Sequence, residues 1–538
     1  MTSSFKGFIL LLFLFDAANS FAQAAPFNVT LEPVNIENLG GMHSFAFAQH
    51  QGKWLIVGGR LDGLHQRQPF AAFDVAGNNA QLFVVDPIAE QFWSASTSTL
   101  SSSIQEQLKS TNMEFHQEGD FLYIIGGYGF SESLGDHTTF NNLTAINVSE
   151  TINAIMGNAP IDAFFRQLTD DVFQVTGGHL NQLEGTFYLV GGQKFIGRYN
   201  PMGPDSGPGF IQEYTDEIRP FELSDDGVNI TITHQPPMND AANLHRRDYN
   251  VTPQILPNGE EGLTAFSGVF QQDADIPFLN CVNINSEGYE VNNDFSQYYN
   301  HYHCANIPIY AEDANEMNTV FFGGIAQFYD NAGTLIQDDN VPFVNTIARV
   351  ERTGDGVMAE YLLPTQMPSL LGAGSEFIPI ESIPAYANGV LKLDELPEGP
   401  TLVGYIYGGI NSTDANIFFV NDGNQSSASS QIFEVYLNKD PAGMHNLNEQ
   451  SVGSLKPVVY PNPNQGYFML DYTLTKSTDV KISIYNLEGK EIENFTFTNM
   501  APGEHTYAKR IKRFSRSTAY ILTIETSYEK ATQQVIVE

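Results

Sequence analysis

Thr186-Phe187-Tyr188-Leu189-Val190-Gly191-Gly192 is the stretch from which the fold can be read: β-branched and aromatic residues run straight into a glycine pair. Working outward, the same pattern returns. Upstream, Trp54-Leu55-Ile56-Val57 precedes Gly58-Gly59, and Phe121 to Ile125 precedes Gly126-Gly127. Downstream, Thr319 to Phe322 precedes Gly323-Gly324, and Gly404 to Tyr407 precedes Gly408-Gly409. Leu263-Thr264-Ala265-Phe266 followed by Ser267-Gly268 is a degraded copy, which brings the repeats to six.

Each copy has the same surroundings. A further short strand and a turn precede it (Gln51-Gly52, Glu118-Gly119, Glu184-Gly185, Asn258-Gly259), and a third strand follows, such as Ala80 to Val85 or Val344 to Val350. Runs of four to seven residues between turns, with almost no 3.6-residue periodicity, predict repeated antiparallel sheets. The only helices expected are short, near Ser103–Lys109 and Ser149–Met156.

With the Gly-Gly pairs, Phe92-Trp93 in the first repeat and Met42-His43-Ser44 ahead of it, residues 27–440 resemble the kelch family of β-propellers. Most copies lack the distal Trp, and the fourth lacks Gly-Gly. The resemblance implies an all-β fold with a six-bladed, kelch-like propeller over 25–445. Its blades would be closed by pairing Phe27–Leu31 with Gln431–Leu437, which removes an open sheet edge. Six blades average roughly 70 residues against about 50 in a plain kelch repeat. The surplus belongs in connections at the ends of the disc, where propellers bind ligands.

Charge divides the chain. Of its 25 basic and 62 acidic residues, one of each falls in 1–24 and nine of each in 457–538, leaving 15 against 52 and the whole net charge of −37 between them. That sign excludes a phosphate-backbone partner, so no nucleic acid is expected. Lys6, the apolar run Gly7 to Phe15 and Ala22-Gln23-Ala24 read as a signal peptide over 1–24, and no later stretch suggests a transmembrane segment. In an oxidising compartment Cys281 and Cys304 are expected to form a disulfide, the alternative being two buried thiols.

Linkers rich in Ser and Asn at 421–430 and 446–456 precede a change of composition. Tyr460-Pro461-Asn462-Pro463, the turn Asn486-Leu487-Glu488-Gly489-Lys490 and the final run Gln533 to Val537 resemble the C-terminal sorting domain (type A) of type IX secretion substrates. The usual Lys before the last strand and the usual Gly before Tyr520 are missing. The resemblance implies a small β-sandwich over 457–538, the type IX machinery as partner, and a secreted or outer-membrane-surface location reached through the periplasm.

Signatures of nucleophilic or zinc hydrolases are absent, as is the Ser-x-Asp-x-Gly-x-x-Trp box of sialidase propellers. Candidate site residues therefore come from constellations. His43, His116, His179, His245, His301 and His303 recur at the start of successive repeats and would converge on one mouth of a central channel, unless each merely bonds its neighbouring loop. Alternation would place His301 and His303 on one strand face, a pair that could chelate Zn or Cu given a third ligand. Otherwise no cofactor is predicted. Galactose oxidase, a kelch-type copper enzyme with a Cys-Tyr crosslink, is a comparison for the Tyr-rich patch Tyr298 to Cys304.

His245-Arg246-Arg247-Asp248-Tyr249 contains an adjacent Arg pair in a Lys- and Arg-poor domain. Alternation lets only one of the two face the channel, where it would grip a carboxylate or sugar acid; otherwise it pairs with Asp248 as a tie between blades. Asp273-Ala274-Asp275 and the loop Asp330 to Asn340 could hold Ca²⁺ through oxygen atoms but lack EF-hand spacing. The expected function is a secreted or cell-surface binding module for an extracellular glycan or protein. The alternatives are a propeller enzyme acting on extracellular carbohydrate (hydrolase, lyase or oxidase) with a His/Arg site, and a structural surface-layer role.

Overall fold

The computed structural model describes residues 26–203, 205, 207–331, 334–439, 450–452, 455–486, 490–510, 518–526 and 530–537. The expected leader at 1–24 and most of the expected linker at 446–456 lie outside them. The described chain is all-β, with α-helices only at Ser102–Leu108 and Val148–Met156.

Each repeat forms one mainly antiparallel sheet, and in the first four repeats its four main strands follow chain order. The first sheet runs Ala46–His50, Lys53–Val57, Gln81–Asp86, Gln91–Ser96, and the second Glu114–Glu118, Phe121–Ile125, Asn142–Asn147, Phe165–Thr169. The third contains His179–Leu183, Thr186–Val190, Glu217–Asp225, Ile230–His234, and the fourth Asn250–Ile255, Glu261–Phe266, Cys281–Asn285, Gly288–Asn292. The fifth is built on Asn306–Ala311, Glu316–Ile325, Phe343–Arg352 and Met358–Gln366. The sixth takes Ser375–Pro379, Gly399–Gly408 and Ile432–Lys439 from one end of the domain and Asn28–Val34 from the other, with Asn28 opposite Asn438 and Val34 opposite Ile432.

The sheets stack face to face through apolar layers. Leu55, Val57 and Leu82 of the first meet Leu122, Ile124 and Ile146 of the second. The series returns on itself, because Tyr405, Tyr407 and Ile432 of the sixth pack with Phe45, Trp54 and Ile56 of the first.

The glycine pairs explain how sheets come so close. Gly191 and Gly192 have φ of +60° and +82°, and a Cβ on Gly191 would lie 2.4 Å from the Tyr249 hydroxyl of the next sheet. The second glycine donates its N–H to the segment leading into the following sheet: Gly59 to the Ser110 carbonyl, Gly127 to Val175, Gly192 to Arg246 and, across the closure, Gly409 to Met42, all at 2.8–2.9 Å. In the degraded copy Ser267 itself takes a left-handed φ of +49° ahead of Gly268.

Nearer the axis, six residues just ahead of the six innermost strands form a closed circle of backbone hydrogen bonds. Ser44 N–H donates to Gly374 O (2.8 Å), Asn112 to Ser44 (3.2 Å), Gly177 to Asn112 (3.1 Å), Asp248 to Gly177 (2.7 Å), His303 to Asp248 (2.9 Å) and Gly374 to His303 (2.9 Å). Every sheet supplies one donor and one acceptor.

Residues beyond 455 form two sheets around a separate core. Val458–Tyr460, Tyr467–Leu474 and Gly503–Arg510 make one, and Glu491–Met500, Thr478–Asn486, Thr518–Glu525 and Lys530–Val537 the other; Phe468, Leu470, Ile482, Ile484, Leu522 and Val535 lie in the core.

The closing strand buries Phe27 and Val29 against the fifth and sixth sheets. Phe27→Ala, which empties a fully buried aromatic site, should cost about 3–5 kcal/mol of unfolding free energy, read by urea denaturation of the mature protein.

Candidate functional site

Above the hydrogen-bonded circle lies a cavity of about 250 Å³. Its floor is the circle, and its walls and roof are the long connections between strands. Tyr128–Ser131 and Asp136–Thr139 from the second repeat join Gln193–Ile196 and Ile211–Tyr214 from the third in a four-stranded sheet of their own. The 60–80 connection of the first repeat is the keystone. Arg198 Nε donates to Ala72 O (2.7 Å), His137 Nε2 to Phe73 O (2.9 Å), and Asn421 Nδ2 to Leu64 O (2.7 Å), so elements from three other repeats fix its course.

Inside, aromatic rings (Phe73, Tyr128, Phe195, Tyr199, Phe270, Tyr302) surround three guanidinium groups, Arg60, Arg67 and Arg247. Arg60 is neutralised by Asp62, with Nε to Oδ1 at 2.7 Å and Nη2 to Oδ2 at 2.5 Å, and stacks over Phe73. Arg247 pairs with Asp248, donates from Nε to the Tyr214 hydroxyl (3.0 Å) and lies over the Phe270 ring. Arg67 differs: it donates to Pro201 O (2.6 Å) and lies over Phe419, and among the described residues no carboxylate is within ion-pair reach of it. His43 is buried, with Nδ1 on the Ser44 hydroxyl (3.0 Å) and Nε2 without a partner. Burial pushes its pKa down to about 4, against the Asp62 charge, so at neutral pH the ring is uncharged. His65 is likewise pushed to about 4 by burial and by Arg247.

Below the circle a second, larger cavity of about 630 Å³ runs between the innermost strands. It holds Glu114, whose Oε1 accepts the Gly178 N–H (2.8 Å) while Oε2 has no partner; burial pushes this carboxyl up to about 8. His303 sits in the circle and borders both spaces. Burial works against its charge, but Glu376, bonded to its Nε2 at 2.7 Å, and Asp248 outweigh this and raise its pKa.

The expected histidine ring does not converge. His43 and His303 border the capped cavity with Arg247, whereas His116, His179 and Tyr249 border only the channel below. His179 donates from Nε2 to Tyr249 O (2.5 Å), and the Tyr249 hydroxyl to Val190 O (2.9 Å). His245 is in neither space, being bonded to Asp216 (2.7 Å) and stacked on Tyr214. The histidines sit at different phases of their repeats: His116 is the third residue of its strand, His179 the first, and His245 lies in the loop before Asn250.

Arg246 and Arg247 part company. Arg246 is fully buried and ties the Asn243, Ser267 and Asn280 carbonyls, with its guanidinium 4.1 Å from the centre of the Phe278 ring; Arg247 turns into the cavity.

Two expectations are corrected. His301 and His303 are not on one strand face, because residues 300–303 have no strand structure. His301 Nε2 donates to Gln297 O (2.9 Å) and its Nδ1 accepts the Gln327 N–H (3.1 Å), so neither nitrogen is left for a metal. Among the described residues no three His, Cys, Asp or Glu side chains gather to hold an ion; in the Asp-rich loop Asp338 and Asp339 accept instead from Asn340, Asn416, Gln327 and Gln337.

Cys281 and Cys304 are free and buried, not bridged. Cys281 lies opposite Phe266, which lies opposite Asn250, and Asn250 Nδ2 reaches the Cys304 sulfur at 3.8 Å. Two strand spacings, roughly 10 Å, thus lie between Cys281 and Asn250, the residue that Cys304 contacts. Burial pushes both thiols up to about 12.

The residues that sequence reasoning missed, Arg60, Arg67, His65, Phe73 and Tyr199, sit in the connections. The surplus length of the first and third repeats was their only signal.

Residues 458–538 match the family described as "Secretion system C-terminal sorting domain". This is a type IX sorting tail, and the protein is secreted or held at the outer-membrane surface. Among the described residues no helix is long and apolar enough to cross a membrane. A solved structure described as "Structure of YjhT" is similar at 10% identity and a TM-score of 0.39, over 75% of this chain and 99% of its own. No curated protein matches.

Arg246→Ala, which removes a buried guanidinium and the donors to three carbonyls, should destabilise by about 3 kcal/mol in a urea titration, whereas Arg247→Ala should leave the midpoint within about 1 kcal/mol of wild type. Folded Glu114 keeps its proton to about pH 8 while the unfolded chain loses it near 4.5. The wild type therefore loses stability as pH rises through that window, by up to about 1.4 kcal/mol per unit. Glu114→Gln lacks this slope, so its stability relative to wild type should climb between pH 4.5 and 8 and level off above.

Proposed function

We propose that residues 25–445 are a six-bladed, kelch-like β-propeller, exported with a removable leader at 1–24, a linker at 446–456 and the sorting domain, and that it is a binding module for an extracellular glycan. Six sheets of four to six strands, the return of the sixth onto the first and the closed circle of hydrogen bonds support the propeller reading.

The capped cavity carries the binding reading. It lies on the axis, it is walled by aromatic rings, and donors from several repeats face into it. A protein partner needs a broad surface of about 800 Å² per side; a cavity of this kind, at the small end of ligand pockets, takes a group the size of one sugar ring.

The mature protein, displayed on a glycan array, should retain a restricted set of glycans without releasing products, and should contain less than 0.1 equivalent of copper or zinc. Turnover of a retained glycan, or a stoichiometric metal, would move the reading to a carbohydrate-active enzyme. Loss of all glycan retention would end it.

A further inference from the structure

We propose that the capped cavity is selective for an anionic sugar unit, one bearing a carboxylate or a sulfate ester, and that Arg67 is the residue that grips the anion. This rests on the glycan-binding reading above and narrows its ligand class.

The argument begins with scarcity. Residues 25–456 hold 15 basic side chains among 52 acidic ones, yet three of the 15 border a single cavity. Two are already matched: Arg60 faces Asp62 in a two-point pair, and Arg247 is paired with Asp248. Arg67 has only the Pro201 carbonyl and the Phe419 ring, so its charge is not balanced by any described carboxylate within reach. Arg219, Arg246 and Arg352 also lack a carboxylate partner among the described residues, but none of them borders this cavity. The course of Arg67 is set by two further bonds of the same loop, Arg67 N–H to Asn421 O (2.8 Å) and the Asn421 amide to Leu64 O.

The remaining groups suit hydroxyls and ring oxygens. Among the described residues no hydrogen bond reaches the hydroxyls of Tyr199 and Tyr302, whose rings border the cavity, or Nε2 of His43, itself buried. Burial raises the Tyr199 hydroxyl's pKa, with the charges of Arg247 and Arg67 acting against that and Asp248 with it. The Phe73 and Phe195 rings offer apolar faces to the C–H side of a sugar. Ser44, Asn112, Asp248, His303 and Gly374 of the circle border the cavity on the side away from Arg60 and Arg67's connection.

The test is calorimetric titration of the mature protein with D-galacturonate, D-glucuronate, D-glucose 6-sulfate, D-galactose and D-glucose. At least one charged sugar should bind ten-fold or more tightly than its neutral counterpart; the uronates against the sulfate ester decide which anion is taken. Arg67→Gln should weaken that binding 10- to 100-fold with an unchanged melting temperature, and Arg67→Lys should recover part of the loss. Neutral sugars binding as well as charged ones, or unaltered binding by Arg67→Gln, overturns the anion assignment and leaves the glycan-binding reading standing. Binding by none of the five, together with an array on which nothing is retained, overturns both.

Discussion

Six backbone hydrogen bonds in a closed circle hold the architecture together. A linear ladder tolerates a frayed end; a circle has none, and each of its bonds fixes the angle between two sheets. Its residues have to leave the usual backbone regions to turn their N–H groups sideways, which is why Ser44, Asn112, Gly177, Asp248 and Gly374 all have positive φ. The circle also separates the two axial spaces. Above it, long connections enclose a small cavity, and below it the innermost strands leave a wider channel containing a buried, protonated carboxylic acid, Glu114.

The scarce arginines mostly act as stitches. Arg246 gathers carbonyls of the fourth repeat, Arg352 donates across to Ile255 O, Arg219 to Val172 O, and Arg166 grips Asp225 of the next sheet. A guanidinium with five N–H groups suits places where several carbonyls point into one dry corner. Arg67 differs from these in that its side chain has one acceptor, the Pro201 carbonyl, and borders the cavity.

Much of the fold was legible because it is written locally. The strand-plus-glycine phrase is periodic, and each glycine pair reflects a close approach that any larger side chain would block. Pairing of the first strand with the last followed from the need to cover an edge. The site was less legible. Which histidine faces the axis depends on its phase within the repeat, and one residue of phase moves a side chain to the opposite face. The cysteines were misjudged because compartment chemistry argues for a bridge while sheet geometry sets the two apart. Arg67 and Tyr199 meet only through connections from different repeats, and contacts of that kind leave no pattern along the chain.

Asn28–Val34 and Ile432–Lys439 are partners in one sheet although roughly 400 residues lie between them. During synthesis the first strand of the domain waits, edge exposed, until nearly the whole of it has been made. The sorting domain begins at residue 458, after the strand that completes the sheet. A chain broken off before residue 432 therefore lacks both its closing strand and its sorting domain. Any chain that carries the sorting domain also carries the strand that covers the edge of Asn28–Val34.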